Sequence, residues 1–146
     1  MGELTLPDSG AIYLDANGFI YSVERVEPYR ALLAPMWLQA QAGAFHIISS
    51  ELAMLETLVK PLREGNTVLE TLFRRLLNAN EVSLIPATRA LWEEAAQLRA
   101  ATGLRTPDAL HAATALHSRC ALFVTNDGAF RRVAGLPVVV LDDLLT

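Results

Sequence analysis

Apolar residues follow two rhythms along this chain. Ala11–Leu14, Ala121–Val124 and Val138–Leu141 are short unbroken apolar runs, and Phe45–Ile48 and Val82–Ile85 are apolar but for His46 and Ser83, the pattern of strands buried on both faces. Between them, apolar positions recur every three or four residues, the spacing of helices packed on one side. Residues 17–43 read as helical, with breaks predicted at Pro28 and near Pro35, because proline removes a backbone donor and clashes with the preceding turn. Ser49 or Ser50 is placed to cap a further helix that ends near Lys60–Pro61. Residues 64–78 carry Leu69, Leu72, Phe73, Leu76 and Leu77 on one face, and Thr88–Ala101 carries Leu91, Trp92, Ala95 and Leu98 before Gly103. Thr106–Pro107 is a helix start, with Thr at the cap and Pro at the first helical position, where its missing donor costs nothing. Strands alternating with helices predict βαβ units. The expected fold is therefore a three-layer α/β/α sandwich around a central, mostly parallel five-stranded sheet, a single domain over 11–146 with a short extension over 1–10.

Three strings in this frame carry an acid at a special place: Ile12-Tyr13-Leu14-Asp15-Ala16-Asn17, Leu104-Arg105-Thr106-Pro107-Asp108-Ala109-Leu110-His111 and Phe123-Val124-Thr125-Asn126-Asp127. Asp15 and Asp127 follow strands and Asp108 opens a helix. In a parallel sheet the strand carboxyl ends and neighbouring helix N-termini share one rim, where ligands bind. Acids remote in sequence thus meet in one cleft, and carboxylates held close repel unless a cation lies between them. A divalent metal site is the first reading. Each acid also has an ordinary role: Asp15 as a helix cap, Asp108 as an anion favoured by a helix dipole, Asp127 as part of an Asn-Asp-Gly turn. Asn17 could orient Asp15 or bind a metal-held water, Thr125 could support the site through its hydroxyl, and His111 reads as a hydrogen-bonded structural histidine. The helix after Ser50 offers Glu51 and Glu56. Glu56 flanks the apolar stripe, whereas Glu51 lies in the first turn, and helical geometry leaves both open.

Composition changes this picture little. The net charge of −4 and the preference for Arg, with Lys60 the one lysine, are neutral towards nucleic-acid binding. No stretch approaches the ~20 apolar residues of a membrane span, the N-terminus lacks a secretory pattern, and Cys120 is alone. A cytoplasmic protein is expected.

Together these strings resemble the PIN-domain ribonucleases, most closely the VapC-type toxins of toxin–antitoxin pairs. The resemblance runs from Ile12 to Leu145 and is most specific from Ala96-x-Leu98-Arg99-Ala100 into Leu104-Arg105-Thr106-Pro107-Asp108-Ala109-Leu110-His111-Ala112-Ala113-Thr114-Ala115. It implies a catalytic, metal-binding set of Asp15, Glu56 (matched better than Glu51), Asp108 and Asp127. It also implies Mg²⁺ or Mn²⁺ as cofactor, RNA as substrate, an antitoxin partner and a homodimer. Leu32, Leu33, Met36, Trp37 and Leu38 are candidates for an apolar groove that would take an antitoxin segment. Two rivals follow from the same residues. One is a PIN-like module that binds RNA or protein without significant catalysis. The other is a phosphoaspartyl hydrolase with Asp15 as nucleophile, which would need a helper lysine near the site.

Overall fold

The computed structural model describes residues 2–146. In chain order they form β1 (Ala11–Leu14), α1 (Ala16–Val23), α2 (Tyr29–Gln41), β2 (His46–Ser50), α3 (Leu52–Glu64), α4 (Thr67–Leu77), β3 (Val82–Ile85), α5 (Arg89–Thr102), α6 (Thr106–Ser118), β4 (Leu122–Thr125) and β5 (Val138–Val140). Short 3₁₀ turns cover Gly128–Arg132 and Leu141–Leu145. The strands form one sheet in the order β3-β2-β1-β4-β5, and all four ladders are parallel. The predicted three-layer α/β/α architecture is present.

The unbroken apolar runs are explained by what covers them. Tyr13 and Phe123 face a core built with α5 and α6, through Leu91, Ala95, Leu110 and Ala113. Ile12, Leu14 and Val124 face the opposite core, with Phe19 of α1, Leu33 and Met36 of α2 and Leu77 of α4. A strand covered on both sides has no polar face to show, so period-two alternation is lost. Leu4 and Leu6, ahead of β1, also pack against this second core, and the Gly2 amide donates to the Leu144 carbonyl at 2.6 Å.

Several of the predicted helix boundaries need correction. The break at Pro28 is present, since Pro28 sits at the N-terminal boundary of α2. Pro35, however, lies inside α2, and Pro61 inside α3, which runs on to Glu64 and ends on Gly65 in the left-handed conformation at φ 65°. An interior proline costs about 3 kcal/mol. In α2 the burial of Leu32, Leu33 and Met36, at roughly 1.5–3 kcal/mol per side chain, outweighs it. The same burial corrects the expected groove: three of its five candidates are core, Leu38 alone is widely exposed, and Trp37 donates its indole N–H to Ser22 Oγ at 2.8 Å. Asn66, rather than residue 64, starts α4 by accepting from the Leu69 amide at 3.0 Å. Ser49 stays within β2, while Ser50 Oγ accepts from the Leu52 amide at 3.1 Å. Thr106 is the first residue of α6, following Arg105 at the cap, and its hydroxyl accepts from Arg99 at 2.8 Å.

Candidate active site

The strand order reverses direction between β1 and β4. From β1 the chain moves outward through β2 to β3, and then returns to β4 and moves the other way to β5. A crevice opens at the carboxyl ends of the two strands flanking such a switch point. Asp15 is the residue after β1, and Thr125 is the last of β4. Their side chains meet: Thr125 Oγ1 donates to Asp15 Oδ2 at 2.6 Å. The same hydroxyl accepts from the Asp127 amide at 3.1 Å, so one buried threonine ties together the chain ends that deliver two acids. Asp127 Oδ1 in turn accepts from the Ala129 amide at 2.9 Å, opening the 3₁₀ turn. The Gly18 amide lies 3.4 Å from Asp15 Oδ1. The ordinary capping roles of Asp15 and Asp127 are thus real, and they coexist with a place in the cleft.

The other two acids come from helices. Asp108 stands in the first turn of α6, 3.4 Å from Arg105 Nε. Glu56 projects from α3, its Oε1 2.6 Å from His111 Nε2. Asp15, Asn17, Glu56, Arg105, Asp108, His111 and Asp127 line a single cleft. Glu51 does not line it. It is exposed ahead of α3 and makes no capping hydrogen bond with its side chain. Nor does Lys60, which pairs with Glu24 at 3.0 Å. Asp15 therefore has no lysine beside it, and the phosphoaspartyl reading loses its helper.

Burial pushes the Asp15 carboxyl above its ordinary pKa, a rise that the Thr125 hydrogen bond only partly offsets. Asp108 is also raised, first by burial and further by the negative charge of Asp127, against the opposing pull of Arg105. Burial therefore makes both carboxylates costly to keep ionised. The donor set fits a hard divalent cation, which takes oxygen ligands. Glu56, Asp108 and Asp127 each have one oxygen held within the protein and the other without a hydrogen bond from any described residue. The acids line the cleft without closing on one point, however: among the described residues no three His, Cys, Asp or Glu side chains form a group spaced to hold an ion. The expectation of tightly clustered carboxylates is corrected to that extent. Each carboxylate has its own internal partner.

His111 is almost wholly buried. Its Nδ1 lies 2.6 Å from the Tyr13 hydroxyl, while its Nε2 holds Glu56. Sequence reasoning gave Tyr13 and Arg105 no role. A tyrosine inside an otherwise aliphatic strand was the available signal, since a buried phenol needs a polar partner. Arg105 stands beside the acid of its own string, where a cation has a local electrostatic reason to be.

A family model described as PIN domain matches residues 12–136. No curated relative matches the sequence. Among solved structures, VapBC2 from Rickettsia felis bound to a DNA fragment from its promoter superposes with a TM-score of 0.71 at 18% identity, covering 89% of this chain and 98% of that one. A toxin–antitoxin complex from Klebsiella pneumoniae gives a TM-score of 0.62 at 22% identity, covering 88% and 96%. FitAcB from Neisseria gonorrhoeae gives 0.61 at 20% identity, covering 87% and 95%. At these identities the likeness is one of fold.

Proposed function

The chain belongs to the PIN domain family, whose members are typically nucleases, and on that premise we propose that it is a metal-dependent endoribonuclease, the toxin of a toxin–antitoxin pair. The observation that carries the reading is the gathering of Asp15, Glu56, Asp108 and Asp127, from four separate segments, along one cleft at the switch point of the sheet. Resemblance to toxin–antitoxin complexes in fold supports an antitoxin as partner. A homodimer belongs to the same reading.

In this reading the four carboxylates would hold Mg²⁺ or Mn²⁺, directly or through water. Such an ion, when bound, would lower the pKa of the attacking water and offset charge on the scissile phosphate. The protein's own residues supply position. Thr125 holds Asp15 by one oxygen and fixes the backbone of Asp127. Asn17, exposed on the cleft wall, is available to a water or a ribose hydroxyl. Arg105, its side chain 79% exposed, can turn its guanidinium fork to a backbone phosphate. The expected chemistry is in-line hydrolysis that leaves a 5′-phosphate and a 3′-hydroxyl.

The test incubates partner-free wild type and Asp108→Asn with total RNA and then with a labelled oligonucleotide, in Mn²⁺, Mg²⁺ or EDTA. Discrete cuts that need metal, carry 5′-phosphate ends and vanish in Asp108→Asn are expected. Ends bearing 2′,3′-cyclic phosphate would mean attack by the ribose hydroxyl and overturn this mechanism. RNA binding without cleavage would support the non-catalytic module instead.

A further inference from the structure

His111 is out of place as a mere core residue. It sits on a helix whose neighbouring buried positions are Ala109, Leu110, Ala112 and Ala113, where an aliphatic side chain would fill the space without polar cost. A buried imidazole is tolerable only if both nitrogens are bonded, and here both are, at 2.6 Å. The partners come from the opposite ends of the problem. Tyr13 is fully buried in the central strand and immobilised by stacking on Phe123, with centroids 5.1 Å apart and planes 9° apart. Glu56 faces the cleft.

The pairing decides the tautomer. A carboxylate only accepts, so Nε2 must carry the hydrogen it shares with Glu56. In the neutral imidazole Nδ1 is then an acceptor, and the Tyr13 hydroxyl is its donor. With the ring neutral, donation runs from Tyr13 to His111 to Glu56 and ends on one carboxylate oxygen of the cleft. We infer that His111, anchored at Nδ1 by Tyr13, is a positioning residue that orients the Glu56 carboxylate for a divalent cation. Metal-ligand carboxylates are commonly held this way by a hydrogen-bonded outer partner, whose loss costs ~10–100-fold in metal affinity. The inference rests on the metal reading proposed above.

Two substitutions separate positioning from packing. In His111→Gln the amide nitrogen stands as many bonds from Cβ as Nε2 does, so a donor still reaches Glu56. In His111→Asn the amide reaches only as far as Nδ1, towards Tyr13. Mn²⁺ affinity would be measured on metal-free protein by the electron paramagnetic resonance of free Mn²⁺, beside melting temperatures without metal. We expect His111→Asn to lose Mn²⁺ affinity about ten-fold and His111→Gln to stay within about three-fold of wild type, although both melt lower. Tyr13→Phe, which keeps the stacked ring, covers the case in which His111→Asn does not fold; it is expected to weaken Mn²⁺ binding several-fold. Equal Mn²⁺ affinity in wild type, His111→Asn and Tyr13→Phe would overturn the inference and leave His111 a core residue. Asp108→Asn is the separate control. If wild type binds no Mn²⁺, or Asp108→Asn binds it as well as wild type, the metal reading itself fails and takes the inference with it.

Discussion

Gly18 is where the local and the tertiary rules pull hardest against each other. It lies in the first turn of α1, buried against β1. A Cβ added there would come within 2.2 Å of Leu14 Cδ1 and 2.4 Å of Cγ, whereas carbon atoms in contact normally stay ~3.5–4.0 Å apart. Leu14 is fully buried between strand and helix, so it has no open direction in which to turn. Relieving the overlap means lifting α1 from the sheet. Overpacking of this kind costs ~1–3 kcal/mol, and an overlap above an ångström belongs at the upper end. Against it stands the helix propensity of Ala, worth ~0.8–1.0 kcal/mol over Gly. The clash wins: Gly18→Ala should lose about 1–2 kcal/mol, near 2–8 °C in melting temperature for a domain of this size.

The decisive comparison repeats the substitution where the obstacle is gone. Leu14→Ala alone costs ~2–5 kcal/mol through its cavity. In that background the new Cβ meets open space and only the propensity term remains, so Gly18→Ala should then stabilise by about 0.5–1 kcal/mol. Urea unfolding measures all four proteins, with the midpoint moving and the slope held constant. A reversal of sign between backgrounds is expected. Equal destabilisation in both, or stabilisation of the wild-type background, would refute the steric account. The lifted helix start also carries the amide beside Asp15, so Gly18→Ala should weaken Mn²⁺ stabilisation as well.

Two further substitutions probe charge in the cleft. A raised carboxyl pKa means that the native state holds the proton more tightly than the unfolded chain; stability therefore falls as pH rises from the unfolded value, about 3.9 for Asp, through the raised native value of Asp15, and is level above it. Asp15→Asn should accordingly melt higher than wild type at neutral pH in EDTA, lose that advantage below about pH 4, and gain less from Mn²⁺; a lower melting temperature at neutral pH would show that the cap outweighs the charge. Arg105→Gln removes an exposed ion pair, worth under ~1 kcal/mol, and should leave stability nearly unchanged while raising KM for RNA and lowering the log–log salt slope of binding by about 0.7; an unaltered slope would exclude a phosphate contact by Arg105.

The strands β1 and β4 were legible because they are covered on both faces, and a doubly covered strand writes itself as a nearly unbroken apolar run. The helix through Pro35 was misread for the opposite reason. The steric rule for proline is local, and what overrode it was the burial of Leu32, Leu33 and Met36 against strands distant in sequence. Within the site, Asp15, Asp108 and Asp127 could be found from strand ends and a helix start, but the choice of Glu56 over Glu51 could not be made from the helical wheel. His111, on α6, singles out Glu56. Tyr13 reads as one more apolar strand residue until its hydroxyl is seen to have a partner across the layer.

The internal partners of the four acids differ in kind, and the difference bears on how the cleft would respond to a cation. Asp15 is held by a buried hydroxyl, Glu56 by a buried imidazole and Asp127 by a backbone amide. For Glu56 and Asp127 that hydrogen bond occupies one oxygen and leaves the other without a partner among the described residues, so a cation approaching there need break none, whereas the second oxygen of Asp15 lies 3.4 Å from the Gly18 amide. Asp108 is held by another cation, on an exposed arginine at 3.4 Å. There alone an incoming divalent ion competes with an existing positive charge, and at the surface that charge is weakly held. Displacement of Arg105 from Asp108 would free its guanidinium at the same edge where a phosphate must arrive. Cation and RNA binding would then favour each other through a single side chain, and in Arg105→Gln that mutual dependence should be lost while Mn²⁺ affinity itself is kept or improved.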